Sequence, residues 1–273
     1  MRLSALLQAA CYTAAATAAS DSACLFADAD SCTHKTSFPF RVPTAAESAV
    51  MGRRVLALTK LGTLATVFPS AASRLPGDLA GVPIGLMDYF ADCEDAGNPT
   101  VLAIKIATSF RNIAAGSNVS LSLRWTPPYP PAKRIGLGSP ADGDAPDPVP
   151  YSAANLPRLS LFGYTEWIDT NTALHAGLAR CFTKKHPDAG FWLPGNRIHE
   201  SAWMRLVVTR VYWIGGFGDR AYIGWIPVED WRNVTQEQWS SIRLQGERKD
   251  WNEWDPSTVG AVLPELAVEA GDL

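Results

Sequence analysis

The most specific chemical possibility in the sequence lies at Lys105-Ile106-Ala107-Thr108-Ser109-Phe110-Arg111-Asn112, where a strand-like stretch runs into a short polar turn. Two hydroxyls, a guanidinium and the free backbone N–H groups of such a turn can together hold a phosphate, with Lys105 close by in the chain. The same residues also read as a capped turn carrying a solvated arginine. A second cluster, Asp88, Asp92, Glu94 and Asp95, has the paired carboxylates that glycoside chemistry uses. It falls at a strand end and turn, where aspartate serves local hydrogen bonding, and it reads as a solvated turn.

Most enzyme signatures are absent. No Gly-x-Ser-x-Gly elbow occurs. His199-Glu200-Ser201-Ala202-Trp203 begins like a zinc-protease helix, but Trp203 stands where the second histidine ligand belongs, so no metal site is expected. Gly216-Phe217-Gly218-Asp219-Arg220-Ala221 partly fits a dinucleotide fingerprint. The residues after it, Tyr222 to Ile226, read as a strand where the motif needs a helix, so a tight hairpin is expected. Of the 10 tryptophans, Trp203, Trp213 and Trp225 fall in apolar strands and are expected in the core or at a subunit interface.

The chain has 273 residues, 47% hydrophobic and 19% charged, with 24 basic against 27 acidic side chains. That composition excludes wholesale disorder, and the net charge of -3 argues against a dedicated nucleic-acid binder. Met1-Arg2 followed by the Ala-rich run Leu3 to Ala19, with small residues at Thr17, Ala19 and Ser20, predicts a signal peptide over 1–20. No later stretch is apolar enough to suggest a membrane span. Cys11 would leave with the leader, and Cys24, Cys32, Cys93 and Cys181 would then allow three disulfide pairings in an oxidising compartment. Cys24 and Cys32 could close a small loop, whereas Cys181, on the buried side of an expected helix, could be a plain core thiol. Two sequons, Asn118-Val119-Ser120 and Asn233-Val234-Thr235, suit the same compartment.

These residues need elements to position them. Thr44 and Glu47 form a capping box that predicts a helix through Leu58, with Val50, Met51, Val55 and Leu58 as its apolar positions. Strands are expected at 63–68, 83–90, 101–108, 118–125, 158–168, 203–214 and 221–226, separated by Gly-, Pro- and Asn-rich turns. Residues 171–185 read as one helix with Leu174, Leu178, Cys181 and Phe182 on its stripe, and short helices are expected near 229–231 and 236–242. The Pro-rich stretch 127–157 reads as an exposed insertion. The expected class is mainly β, a barrel with peripheral helices.

The helix leading into GTLATVF, then ATSFRN, CFTKKHPDAGFWLPG and VYWIGGFGDRAYIGWIP in that order, resembles the CREG-like proteins. These belong to the wider split-barrel group related to pyridoxamine 5'-phosphate oxidase. The resemblance runs from about Thr44 to Trp231 and implies a CREG-like domain over 44–233, after a polar lead-in at 21–43 and before a helical, acidic tail at 234–273. It implies a split β-barrel homodimer, with flavin mononucleotide (FMN) sites, where present, at the dimer interface, and a secreted or lysosomal glycoprotein. In flavin-binding relatives a turn of hydroxyl and basic residues meets the cofactor phosphate, which Thr108, Ser109 and Arg111 match, with Lys105 beside them. Asn112 stands where a second basic residue is common, and Ile84 to Phe90 lacks the arginine that usually accompanies it. The implied function is a secreted, or vacuolar or lysosomal, glycoprotein with a degenerate FMN site that acts by binding a receptor or other protein. One alternative is an extracellular FMN-dependent oxidoreductase, with no catalytic residue assigned. The other, suggested by the GGFG hairpin, is a haem or tetrapyrrole binder using His199.

Overall fold

The computed structural model describes residues 41–70, 79–130, 152–249 and 251. The expected leader, Cys24, Cys32, most of the Pro-rich stretch and the acidic end of the tail lie outside the described residues. The first helix, α1 (Ala45–Leu58), starts as its sequence dictates. Thr44 Oγ1 accepts the Glu47 N–H at 3.2 Å and the Glu47 carboxylate accepts the Thr44 N–H at 2.7 Å. Arg41 bonds the same carboxylate and pulls its pKa down to about 2. Both faces of α1 are covered: Ser48, Ala49, Gly52, Arg53, Arg54 and Leu56 are buried along with Val50 and Val55, whereas Leu58 stays exposed. Gly52 permits this, because a Cβ there would come within 3.0 Å of the Trp231 ring.

Among the described residues seven strands follow: β1 (Leu61–Val67), β2 (Pro83–Ala91), β3 (Thr100–Ile104), β4 (Val119–Arg124), β5 (Arg158–Ile168), β6 (Ser201–Ile214) and β7 (Ile223–Ile226). Their order is β3-β2-β1-β4-β5-β6-β7, all antiparallel, and a further β3–β6 pairing closes the first six into a barrel with β7 on its rim. The fold is therefore mainly β, a barrel with peripheral helices, as the sequence implies. Alternate residues of β4 (Val119, Leu121, Leu123) point inward, where they meet Leu64, Phe90, Leu161, Met204, Leu206 and Trp213. Between Phe162 and Gly163 the β5–β6 register shifts. A Cβ at Gly163 would stand 1.8 Å from the Val207 carbonyl oxygen, so only glycine fits that bulge.

Several expectations need correction. Residues 171–185 form two helices, α3 (Thr170–His175) and α4 (Leu178–Lys185), because Gly177 adopts φ 62° between them. Leu174 is consequently 75% exposed, while Leu178 and Phe182 fill a second apolar cluster with Leu102 and Trp203. Trp203 and Trp213 are buried in the core, one of the two places expected for them; Trp225 on the rim strand, 54% exposed, is not in the core. Residues after 233 add to the core. After α5 (Val228–Asn233) and α6 (Gln236–Ser241), the buried Val234, Ile242, Leu244 and Trp251 join the barrel core, and Trp125 Nε1 donates to the Gln245 carbonyl at 2.6 Å. Among the described residues no helix is long and apolar enough to cross a membrane.

Candidate functional site

The segment expected to be a phosphate-binding turn is mostly a helix. β3 ends at Ile104, and α2 (Thr108–Ala114) begins after Ala107 without a side-chain cap. Ser109, Phe110 and Asn112 form its inward face, exposed by 2%, 3% and 4%, while Arg111 points to solvent. Burial of Phe110 in the barrel core turns Ser109 and Asn112 inward with it. The Asn112 amide donates to Thr66 Oγ1 of β1 at 3.1 Å, so this polar side chain pins the helix to the barrel. Lys105 is held elsewhere: its ammonium pairs with Glu200, and its N–H donates to the Glu200 carbonyl at 2.9 Å. Ser109 is thus turned inward, Arg111 outward and Lys105 toward Glu200, while Thr108 stands half-buried at the start of α2.

The fit of these residues to an FMN phosphate is incomplete. A dianionic phosphate needs free donors aimed at one point. Here the Asn112 amide is satisfied inside the protein, Ser109 is closed to solvent and the Lys105 charge is met by a carboxylate. The strand where an accompanying arginine is usual carries Asp88 instead, and burial raises the pKa of that carboxyl to about 6. His199 stands on an exposed loop before β6. Asn196 fixes the loop backbone, accepting the His199 N–H and donating to the His199 carbonyl, both at 2.8 Å. The buried histidine is His186, whose Nε2 lies 2.7 Å from the Phe90 carbonyl between the rings of Tyr89 and Phe182; burial lowers its pKa. Both sequon asparagines, Asn118 and Asn233, are exposed. No group of three or more potential metal ligands occurs among the described residues.

Polar residues converge instead in an open cleft of about 830 Å³ between α1, α4, the β2–β3 connection and the α5–α6 segment. Its floor is Arg53, 2% exposed, which donates to the carbonyls of Asp95 (2.8 Å), Trp231 (3.2 Å) and Val234 (3.3 Å) and lies 3.8 Å from the Asp92 carboxylate. Within the acidic cluster Asp95 is exposed as a solvated turn would have it, but Asp92 and Glu94 are not. The Asp92 side chain is 9% exposed, one of its oxygens has no partner, and burial raises its pKa. Glu94 pairs with Arg205 at 3.0 Å. Lys185 donates to the Leu56 carbonyl at 3.1 Å and sits 4.5 Å above the Phe90 ring; burial lowers its pKa to about 8. Cys93 and Cys181 are joined in a disulfide with Cα atoms 5.9 Å apart, so Cys181 is not a core thiol. The bond lies on the cleft wall. Sequence reasoning missed this site; its one available signal was Arg53-Arg54 inside an otherwise small and apolar helical run.

A protein-family model described as "CREG, beta-barrel" matches residues 43–233. No curated protein matches the chain. Among solved structures, a heme-binding protein from Mycobacterium smegmatis aligns at 20% identity and TM-score 0.47. That alignment covers 70% of this chain and 61% of that one, so the chain spans less than two thirds of that protein. Campylobacter jejuni ChuZ aligns at 12% identity and TM-score 0.47, covering 71% of this chain and 65% of that one. The heme storage protein HutZ from Vibrio cholerae aligns at 16% identity and TM-score 0.38, over 63% and 95% of the two chains.

Proposed function

The chain belongs to the CREG beta-barrel family, and from that membership we propose that it is an exported, homodimeric glycoprotein with a degenerate flavin site, acting by binding other proteins. The reading rests on the side chains around α2, where Asn112 is bonded to Thr66, Ser109 is buried and Lys105 is paired with Glu200. Redox chemistry by FMN would need those donors free, so no step is assigned to a flavin. Export is supported by the Cys93–Cys181 bond, of a kind that persists in oxidising compartments, and by the exposure of Asn118 and Asn233.

The dimer has a suitable surface. Met87, Thr63, Ser122, Ser160, Tyr212 and Trp225 lie opposite one another across β2, β1, β4, β5, β6 and β7, forming one row on the outer face of the sheet. The adjacent row is Gly85, Ala65, Ser120, Phe162 and Arg210. Apart from Arg210, these rows are uncharged; the first has small residues in the middle and Met87, Tyr212 and Trp225 at its ends, and the second is small except for Phe162. Such a face lets a second copy approach closely, as an isologous interface requires.

Sedimentation velocity on the glycosylated chain tests this assignment. The wild type should sediment as a dimer, and Thr63→Arg or Met87→Arg, both at exposed positions, should give a folded monomer. A wild type that stays monomeric at micromolar concentration, or arginine variants that stay dimeric, would overturn it.

A further inference from the structure

We propose that the Cys93–Cys181 disulfide is a thiol–disulfide exchange centre, in which an incoming thiol attacks Cys93 and Cys181 departs. The bond is reachable: it lines the open cleft, and both cysteines are only partly buried. Its two sulfurs stand in unequal fields. Cys181 lies on α4 with Lys184 and Lys185 three and four residues further on, the spacing that puts side chains on one helical face. Among the described residues neither lysine is in a salt bridge; Lys185 is held by the Leu56 carbonyl near Asp92, so the exposed Lys184 carries the charge most open to a thiolate at Cys181. Cys93 sits between Asp92 and Glu94, whose charges are offset by Arg53 and Arg205. Its surroundings carry no comparable excess of positive charge. A thiolate beside cations has the lower pKa and is the better leaving group, which sets the direction of attack.

The reaction balances with a thiol reductant. The incoming thiol loses its proton to solvent, and its thiolate forms a new sulfur–sulfur bond to Cys93 Sγ. The Cys93–Cys181 bond breaks, leaving the electron pair on Cys181 beside Lys184 and Lys185. Once protonated from solvent, Cys181 can donate to the Asp92 carbonyl, 4.0 Å away. A second reductant thiol then displaces Cys93. In total the protein disulfide is reduced to two thiols and two reductant thiols are oxidised to one disulfide. Run in reverse, the reduced pair reduces a disulfide offered to the cleft.

The test uses the intact glycosylated protein in native buffer and 2-mercaptoethanol, a monothiol that carries no charge besides that of the attacking thiolate. After acid quenching and alkylation, peptide mass spectrometry locates the adduct. The expected product carries mercaptoethanol on Cys93 and the alkyl group on Cys181. Lys184→Gln, at an exposed position, should slow its formation about threefold, as expected for a leaving thiol whose pKa rises by roughly one unit; Lys185→Met should slow it as well. An adduct on Cys181, a bond that reacts only once the protein is unfolded, or rates unchanged in both variants would overturn the proposal.

Discussion

Replacing Arg53 by alanine should be far more damaging than neutralising the aspartate beside it. The guanidinium is 2% exposed, donates to three main-chain carbonyls at 2.8–3.3 Å and lies 5.6 Å from the centroid of the Trp231 ring. Arg53→Ala leaves those carbonyls without their charged donor, strands the Asp92 carboxylate and opens a void. Each unpaired buried group costs about 1–3 kcal/mol. Because one guanidinium serves all three, the losses do not simply add, and the whole change should cost about 3–5 kcal/mol. At about 2–4 °C per kcal/mol for a domain of this size, Tm should fall by roughly 6–20 °C. Asp92→Asn leaves the three carbonyl bonds in place and removes only a 3.8 Å ion pair whose carboxylate is already incompletely bonded. Its cost should be about 1 kcal/mol or less. Urea unfolding of the two variants with the disulfide intact measures both. Equal losses, or a loss below about 1 kcal/mol for Arg53→Ala, would refute the claim that this residue ties α1 to the β2–β3 connection and α5.

Burial raises the Asp88 pKa from its ordinary 3.8 to about 6. Between those values the folded state binds more protons than the unfolded one, so this residue's contribution to stability falls as pH rises through that window. Asp88→Asn should abolish that fall and raise Tm at pH 7, as a pH series of melting curves would reveal. Lys185 shifts the other way, from 10.5 to about 8. The unfolded state binds more protons between those values, so stability should climb with pH there, and Lys185→Met should flatten the climb in the same series. Gly163→Ala would place a methyl group 1.8 Å from the Val207 carbonyl oxygen. It should cost about 3 kcal/mol or more and appear as a lowered urea midpoint or lost soluble protein.

Much of the barrel is legible in the sequence because its local signals agree. The Thr44–Glu47 capping box, the alternation through Val119, Leu121 and Leu123, and the apolar run of β6 each point to the element that forms. What alternation cannot supply is closure: the β3–β6 pairing joins residues about a hundred positions apart, and nothing local encodes it. That 108–114 forms a helix rather than a turn was hidden for a related reason. Thr108, Ser109 and Arg111 are correctly spaced for a turn, but the burial of Phe110, a long-range effect, winds them into a helix and divides them between inside and outside. The cleft was invisible because its parts come from four separated segments. A charged residue in a helix normally reads as solvent-facing, and the carbonyls that satisfy Arg53 become apparent only when α5 and the β2–β3 connection are in place.

In the proposed function the residues around α2 serve the protein's own structure and leave no complete phosphate cradle. Equilibrium titration of the glycosylated protein with FMN, followed by flavin fluorescence, with a parallel haem titration followed in the Soret region, tests it most directly. The account predicts no saturable change with either ligand. One flavin bound per chain and lost in Arg111→Ala would contradict it and restore the oxidoreductase reading, whereas a Soret band lost on replacing His199 would move the function to haem.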